Sequence, residues 1–210
     1  MSSRIAGLYA VTPDEADSDR LFALVEAALA GGTPWLQYRN KLAGPAQRAR
    51  EARRLRELCA AAGARLIVND EPRLAAEVDA AGVHLGRDDG GVAAARALVG
   101  RRLIGVSCYD QLLLAEAAVA AGADYIAFGS VFASPTKPAA VRAPLSLFAQ
   151  SQHLGVPRVA IGGIRLDNAT VLIEAGADAL AVIADVFGAP QPDARARAYA
   201  ALFADRKPTP

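Results

Sequence analysis

Hydrophobic positions in this chain fall into short blocks of one form. LYAV at Leu8, RLIV at Arg65, IGV at Ile104, YIAF at Tyr125, RVAI at Arg158 and ALAVI at Ala179 are apolar and often β-branched, with little alternation. An uninterrupted apolar run is the mark of a strand covered on both faces, as in a parallel sheet. The blocks predict strands over Gly7–Thr12, Trp35–Tyr38, Arg65–Asn69, Gly82–Leu85, Leu103–Ser107, Tyr125–Phe128, Arg158–Ile161 and Ala179–Ile183. Between them, Ser18–Ala30, Pro45–Ala62, Pro72–Ala80, Gln111–Ala121 and Leu166–Ala175 have helical character and the length for right-handed crossovers.

A phrase recurs at the junctions: AAGARLIV from Ala61, AAGVHLG from Ala80, AAGADYIAFG from Ala120 and EAGADALAVI from Glu174. Alanine favours the helix, glycine closes it, and the next strand begins two or three residues later. Repetition of that junction is repetition of an αβ unit. Eight alternations predict an α/β fold, a single (β/α)8 or TIM barrel, although the chain is near the short end for it. A doubly wound open sheet is the rival, disfavoured because LYAVTPDEADS after the first strand has no glycine-rich phosphate turn. No internal linker is visible, so residues 1–205 read as one domain and 206–210 as a disordered tail. The stretch Ala133–Pro144, with three prolines, is too long for an ordinary turn and reads as a functional loop.

Composition narrows the function class. The 210 residues are 53% hydrophobic, enough for a core without disulfides, and the formal net charge is +1. Such balance offers no global field for nucleic acid or an anionic membrane, so any anion must be bound locally. Cys59 and Cys108 lack metal-ligand spacing, no signal-like N-terminus is visible, and no apolar stretch approaches the length of a membrane span. A reducing cytoplasm and small-molecule substrates are the expectation.

In a parallel barrel every strand ends at the same rim, so the polar clusters after the blocks describe a site. Asp70 and Asp89 close consecutive strands, an arrangement suited to a divalent cation such as magnesium together with substrate phosphates. Each also has a plain structural alternative: Asn69 or Asp70 before Pro72 as a helix N-cap, and Asp88 to Gly91 as a turn. Gln37, Arg39 and Lys41 alternate where the second strand runs out; if extended, they face one side and suit a diphosphate and a heterocycle edge. The alternative is a solvated loop charge pair. Tyr38 points the other way and reads as packing. Ser134, Pro135, Thr136 and Lys137 put two hydroxyls and an ammonium in a proline-stiffened loop able to hold an anion. Gly162 and Gly163, followed by Ile183 and Ala184 after the last strand, fit a backbone phosphate cradle or simply a tight turn. His84 and His153 are the only histidines, and neither is placed as a base; His84, inside a strand, reads as structural. A site with carboxylates and cations but no good base suits departure of an anionic group with little proton transfer.

From GLYAVTPD through LQYRNK, LIVND, GVHLGRDD, IGVS, GADYIAFGSVFASPTKP, VAIGGI and ADALAVI, the chain resembles the thiamine-phosphate synthase family over nearly its whole barrel. The resemblance implies a cytoplasmic magnesium enzyme that joins a hydroxymethylpyrimidine diphosphate to a thiazole phosphate, carboxylated or aromatic, and releases pyrophosphate. It implies that Gln37, Tyr38, Arg39, Asn40, Lys41, Asn69, Ser107 and Lys137 meet the pyrimidine diphosphate, with Arg39, Lys41, Ser107 and Lys137 catalytic. Asp70 and Asp89 would hold magnesium, and Ser134, Pro135, Thr136, Gly163, Ile183 and Ala184 the thiazole phosphate. Arg87, Ser130, Ser134 and Ala184 depart from the family's commonest residues; Ala184 removes a hydroxyl and puts thiazole phosphate affinity in question. A homodimer is left open.

Three rivals differ in what they require. A thiazole tautomerase shares the barrel but tends to lack the paired aspartates and the threonine–lysine pair, and has histidine where Ser130 stands. A Schiff-base aldolase would act through Lys137. A non-catalytic phosphate-ligand barrel would need neither Asp70 nor Asp89.

Overall fold

The blocks form strands because each has partners on both sides and cover on both faces. The computed structural model describes residues 4–133 and 141–204. Its strands are β1 (Gly7–Val11), β2 (Trp35–Tyr38), β3 (Arg65–Asn69), β4 (Gly82–Leu85), β5 (Leu103–Tyr109), β6 (Tyr125–Gly129), β7 (Arg158–Ile161) and β8 (Ala179–Val182). All pair in parallel with their sequence neighbours, and β1 pairs with β8, Leu8 opposite Leu180, to close the barrel. This is the expected (β/α)8 architecture; the open doubly wound sheet is excluded.

Helices follow the strands: α1 (Ser18–Ala30), α2 (Pro45–Ala61), α3 (Pro72–Glu77), α4 (Gly91–Val99), α5 (Leu112–Ala120), α6 (Ser146–Gln150), α7 (Thr170–Glu174), α8 (Ala184–Phe187) and α9 (Pro192–Ala204). Asp17 caps α1, its Oδ1 accepting from Asp19 N at 2.9 Å and Arg20 N at 3.2 Å. Proline opens α2 and α3 at positions where its missing N–H costs nothing. Two expectations shorten. The helix expected to Ala80 stops at Glu77, and Leu166–Ala175 divides into a 3₁₀ turn, Leu166–Asn168, and α7. The tail 206–210 lies outside the described residues.

The recurring junction has a physical purpose beyond helix closure. Asp124, just before β6, accepts from Ile104 N on β5 at 2.8 Å and from Arg96 at 2.7 Å. Asp178, just before β8, does the same for β7, accepting from Arg158 N at 2.9 Å and Arg158 Nε at 3.0 Å. In both repeats the aspartate of the GAD phrase ties the start of one strand to its neighbour, with a charge-assisted bond at the N-terminal rim.

Side chains sort into two layers. Leu8, Ala10, Leu36, Tyr38, Val68, Val83, Ile104, Phe128 and Leu180 pack between strands and helices, while Tyr9, Val11, Trp35, Ile67, Tyr125, Ala127, Val159, Ala179 and Ala181 fill the interior. Toward the C-terminal rim the inward positions turn polar, with Gln37 and His84 both buried. The interior has room for two tyrosine rings because facing positions are small. A β-carbon on Gly105 would lie inside the Tyr125 ring.

Gly105→Ala is therefore expected to destabilise the barrel by about 1–3 kcal/mol through overpacking, read as a lower urea midpoint. An unchanged midpoint would mean that Tyr125 has somewhere else to go.

Candidate active site

The rim above β2 and β3 holds a cavity of about 300 Å³ lined by Arg39, Lys41, Arg48, Asn69, Asp70 and Glu71, with Tyr38 and Asn40 in its wall. Thr12, fully buried, fixes how the chain enters it. Its hydroxyl donates to Arg39 O at 2.7 Å and accepts from Arg39 N at 2.8 Å, extending the β1–β2 pairing by a side chain where the ladder ends. Asp14 then holds the cationic loop: Arg39 Nη1 donates to both its oxygens at 3.0 Å, and Lys41 N donates to Oδ1 at 2.7 Å. Burial raises the Asp14 pKa, but these donors and the nearby positive charges outweigh it, so the carboxyl is held below its usual range.

Beneath the loop lies a buried carboxylate, Glu51 on α2, with no exposed surface. Ser18 and Tyr38 hydroxyls each donate to it at 2.6 Å, Gln47 Nε2 at 2.8 Å and Asn40 Nδ2 at 3.0 Å. Four donors on two oxygens connect α1, β2, the loop after it and α2. Two of the expected substrate contacts give their side chains to this carboxylate. The Tyr38 side chain lies in the strand–helix layer with its hydroxyl given to Glu51, and the Asn40 amide is spent on Glu51 and on Glu15 O at 2.6 Å. Both residues form part of the cavity wall.

Asp70 and Asp89 come together. Burial raises the Asp70 pKa, the close Asp89 carboxylate raises it further, and Lys41 and the Asn69 side chain only partly offset the two. Asp70 also has φ of 62°, a left-handed conformation costing about 1–2 kcal/mol in a non-glycine residue. The helix-cap alternative fails here, because Glu71 is the cap residue of α3 and no side chain bonds to that helix end. For Asp89 the turn alternative is real as well: its Oδ2 accepts from Gly86 N at 2.7 Å and so closes its own loop. Among the described residues no group of three or more His, Cys, Asp or Glu side chains forms a metal cluster. Two carboxylates held together at a rim are nonetheless a fitting donor set for a hard divalent cation that keeps waters or phosphate oxygens as its other ligands.

The expected row of Gln37, Arg39 and Lys41 divides. Gln37 is on the strand and points inward, donating to Tyr9 OH at 2.9 Å, while Arg39 and Lys41 lie past the strand end at the cavity. From Tyr9 a hydrogen-bonded line crosses the interior: Tyr9 OH to Tyr125 OH at 2.9 Å, Tyr125 OH to His84 Nδ1 at 3.0 Å, His84 Nε2 to Ser107 Oγ at 2.9 Å. Burial raises both phenols, which keep their protons, and pushes His84 down to about 4, so the imidazole is neutral. The structural reading of His84 holds, in a way that links two expected site residues, Gln37 and Ser107.

Gly162 and Gly163 lie after β7 with φ of 104° and 64°. A β-carbon on Gly162 would strike Ser130, and one on Gly163 the Phe132–Ala133 backbone, so close approach of the neighbouring loop by itself requires glycine. Ile183 precedes the four-residue α8, whose first turn begins at exposed Ala184. Ser134, Pro135, Thr136 and Lys137 lie outside the described residues. Sequence reasoning missed Asp14 and Glu51: the first reads as one more acid in TPDEAD, the second as one more charge in RAREARRLRE. It gave Tyr9 and Tyr125 no role, although an inward phenol needs a partner and two of them predict a polar interior.

The thiamine monophosphate synthase family model matches residues 8–186. A thiamine-phosphate synthase of Azoarcus sp. strain BH72 is 61% identical over 206 residues, covering 97% of this chain and 100% of the relative. One from Chromobacterium violaceum is 56% identical, covering 98% and 100%. The solved thiamine phosphate pyrophosphorylase of Pyrococcus furiosus superposes with a TM-score of 0.83 at 32% identity, covering 94% of this chain and 95% of that one.

The geometry around Glu51 yields a stability prediction. Burial raises its pKa, the four hydrogen bonds outweigh that, and the net value is below the usual carboxylate range. A depressed value contributes stability above the unfolded pKa of about 4.3 and loses it as pH falls through the folded value. Glu51→Gln is expected to lower stability at pH 7 by about 1.5–3 kcal/mol and to flatten the acid limb of stability against pH. An acid limb identical to the parent's would show that other carboxyls carry it.

Proposed function

The chain belongs to the thiamine monophosphate synthase family, and we propose that its rim cavity binds the departing diphosphate of a hydroxymethylpyrimidine substrate, which is coupled to a thiazole phosphate. The enzyme is a transferase of thiamine biosynthesis. The observation that carries the site assignment is the pair Asp70 and Asp89, brought together beside a cavity lined by Arg39 and Lys41.

In this reading Arg39 offers a planar fork to the diphosphate oxygens and Lys41 a point charge. Asp14 keeps the guanidinium aimed while the site is empty of anion. Asp70 and Asp89 would hold magnesium, which when bound supplies positive charge against the same oxygens. The carbon–oxygen bond of the pyrimidine's methylene breaks, its electron pair leaves with pyrophosphate, and the electron-rich aminopyrimidine bears the positive charge until the thiazole nitrogen attacks. Fixed charge opposite a developing anion is commonly the largest catalytic contribution, and no proton abstraction is needed to make the leaving group. The neutral, fully engaged His84 agrees with that chemistry, since it is not a base in waiting. Lys137 is assigned to the diphosphate, and Ser134, Pro135, Thr136, Gly163, Ile183 and Ala184 to the thiazole phosphate, on the family pattern. Among the described residues no helix is long and apolar enough to cross a membrane. Sedimentation velocity decides whether a homodimer forms.

The paired acids set this reading apart from an isomerase or a ligand-binding barrel on the same frame. Pyrophosphate release should require both half-substrates and magnesium. Asp89→Ala should keep the circular dichroism spectrum while turnover falls about 100-fold to 1000-fold. Near-normal turnover of the variant at saturating magnesium would end the metal assignment, and release from one half-substrate alone would end the coupling reading.

A further inference from the structure

The line of hydrogen bonds through the barrel interior has a direction, which donor counting reveals. Gln37 Nε2 can only donate, so Tyr9 O accepts from it and Tyr9 has one proton to give. Its other partner among the described residues is Tyr125 OH, which must accept. Tyr125 then gives its proton to His84 Nδ1. A neutral imidazole that accepts at Nδ1 carries its proton on Nε2 and donates it to Ser107 Oγ. Two groups are left over. The Ser107 hydroxyl proton is released from the line, and the Gln37 amide oxygen has no partner among the described residues.

We propose that this line is a one-way proton order that presets Gln37 as an acceptor and Ser107 as a donor toward the rim, so that Tyr9, Tyr125 and His84 are positioning residues selecting an amino-substituted pyrimidine over its oxo counterpart. The proposal rests on the pyrimidine reading above and deepens it. An aminopyrimidine presents an exocyclic N–H, which the Gln37 oxygen accepts, and an unprotonated ring nitrogen, which the Ser107 hydroxyl can reach as donor. The oxo ring reverses both roles, with a carbonyl where the amine was and a ring N–H where the bare nitrogen was. To accommodate it the Gln37 amide would have to turn over, both phenols rotate, His84 change tautomer and Ser107 reverse. No member can change alone without leaving two donors or two acceptors face to face in a buried site. Coupling of five groups thus converts a small local preference into discrimination between rings of nearly equal shape, as a site built around hydrogen-bond polarity can.

Two measurements test this, and the first needs no substrate. In protein labelled with ¹⁵N-histidine, with His153→Gln to assign the two rings, His84 is expected at neutral pH as the Nε2–H tautomer with a bare Nδ1. The Nδ1–H tautomer would overturn the proton order. The second compares pyrophosphate release from the amino-substituted pyrimidine diphosphate and its oxo analogue in the parent and in Tyr125→Phe. The amino-over-oxo ratio of kcat/KM should fall at least about tenfold in the variant. The loss on the amino substrate should lie mainly in KM for the pyrimidine, with KM for the thiazole phosphate unchanged, a division that general loosening of the barrel would not produce. Tyr9→Phe repeats the comparison if Tyr125→Phe does not fold. An unchanged ratio overturns selection by the line. No release by the parent from either ring overturns the coupling reading and the selection with it, while the tautomer still judges the proton order by itself.

Discussion

Everything at the active rim depends on the pairing of β1 with β8. A parallel sheet closed by that ladder brings eight strand ends to one circle, so residues far apart in sequence meet without long loops. Closure also creates an interior that must be filled from eight sides. Here the filling is uneven, with Trp35, Tyr9 and Tyr125 against Ala127, Ala179, Ala181 and Gly105. The large rings need the small partners, and the phenols then need acceptors. The polar line to Gln37 and Ser107 is the consequence of placing two tyrosines in a space that excludes water.

Two buried polar systems support the rim by different means. Glu51 works in the outer layer, where four donors converge on one carboxylate and fix the loop after β2 from below. The interior line is neutral throughout and fixes orientations instead of positions. A buried charge with all its donors present is rigid but costly to form, whereas a neutral chain costs less and carries direction. The two meet at β2, where Gln37 faces one system and Tyr38 the other by the alternation of the strand.

Most of the fold could be read from the sequence because the signals were local. Strand blocks, helix-closing glycines and proline at helix starts act within a few residues, and the structure moves their ends by only a few positions. Helix α3 is the clearest miss of this kind: alanines up to Ala80 continue the helical pattern, but Asp79 takes φ of 53° and the chain must turn into β4. The site was partly legible for a different reason. Asp70, Asp89, Arg39 and Lys41 stand at strand ends, and parallel topology alone predicts that strand ends converge. Glu51, Asp14, Tyr9 and Tyr125 were not legible, because each acquires its role from a partner on another element. The partners of the Tyr38 and Asn40 side chains were hidden for the same reason, since only the position of Glu51 shows where their polar atoms go.

The pairing of Arg39 with Asp14 bears on how the rim trades binding for preorganisation. A guanidinium left alone beside Lys41 would be repelled and would sample many rotamers. With Asp14 beneath it, Arg39 is held by two bonds of 3.0 Å and still has other N–H donors for a diphosphate. The price is that part of its charge is already neutralised. Lys41 gives its backbone N–H to Asp14, and its ammonium, on an exposed residue, acts on Asp14 and Asp70 through charge alone. The same carboxylate therefore makes one cation a fixed template and leaves its neighbour adjustable. Such a division would suit the proposed leaving group, whose charge grows as it departs: in that proposal the arginine sets where the diphosphate sits and the lysine adjusts to it.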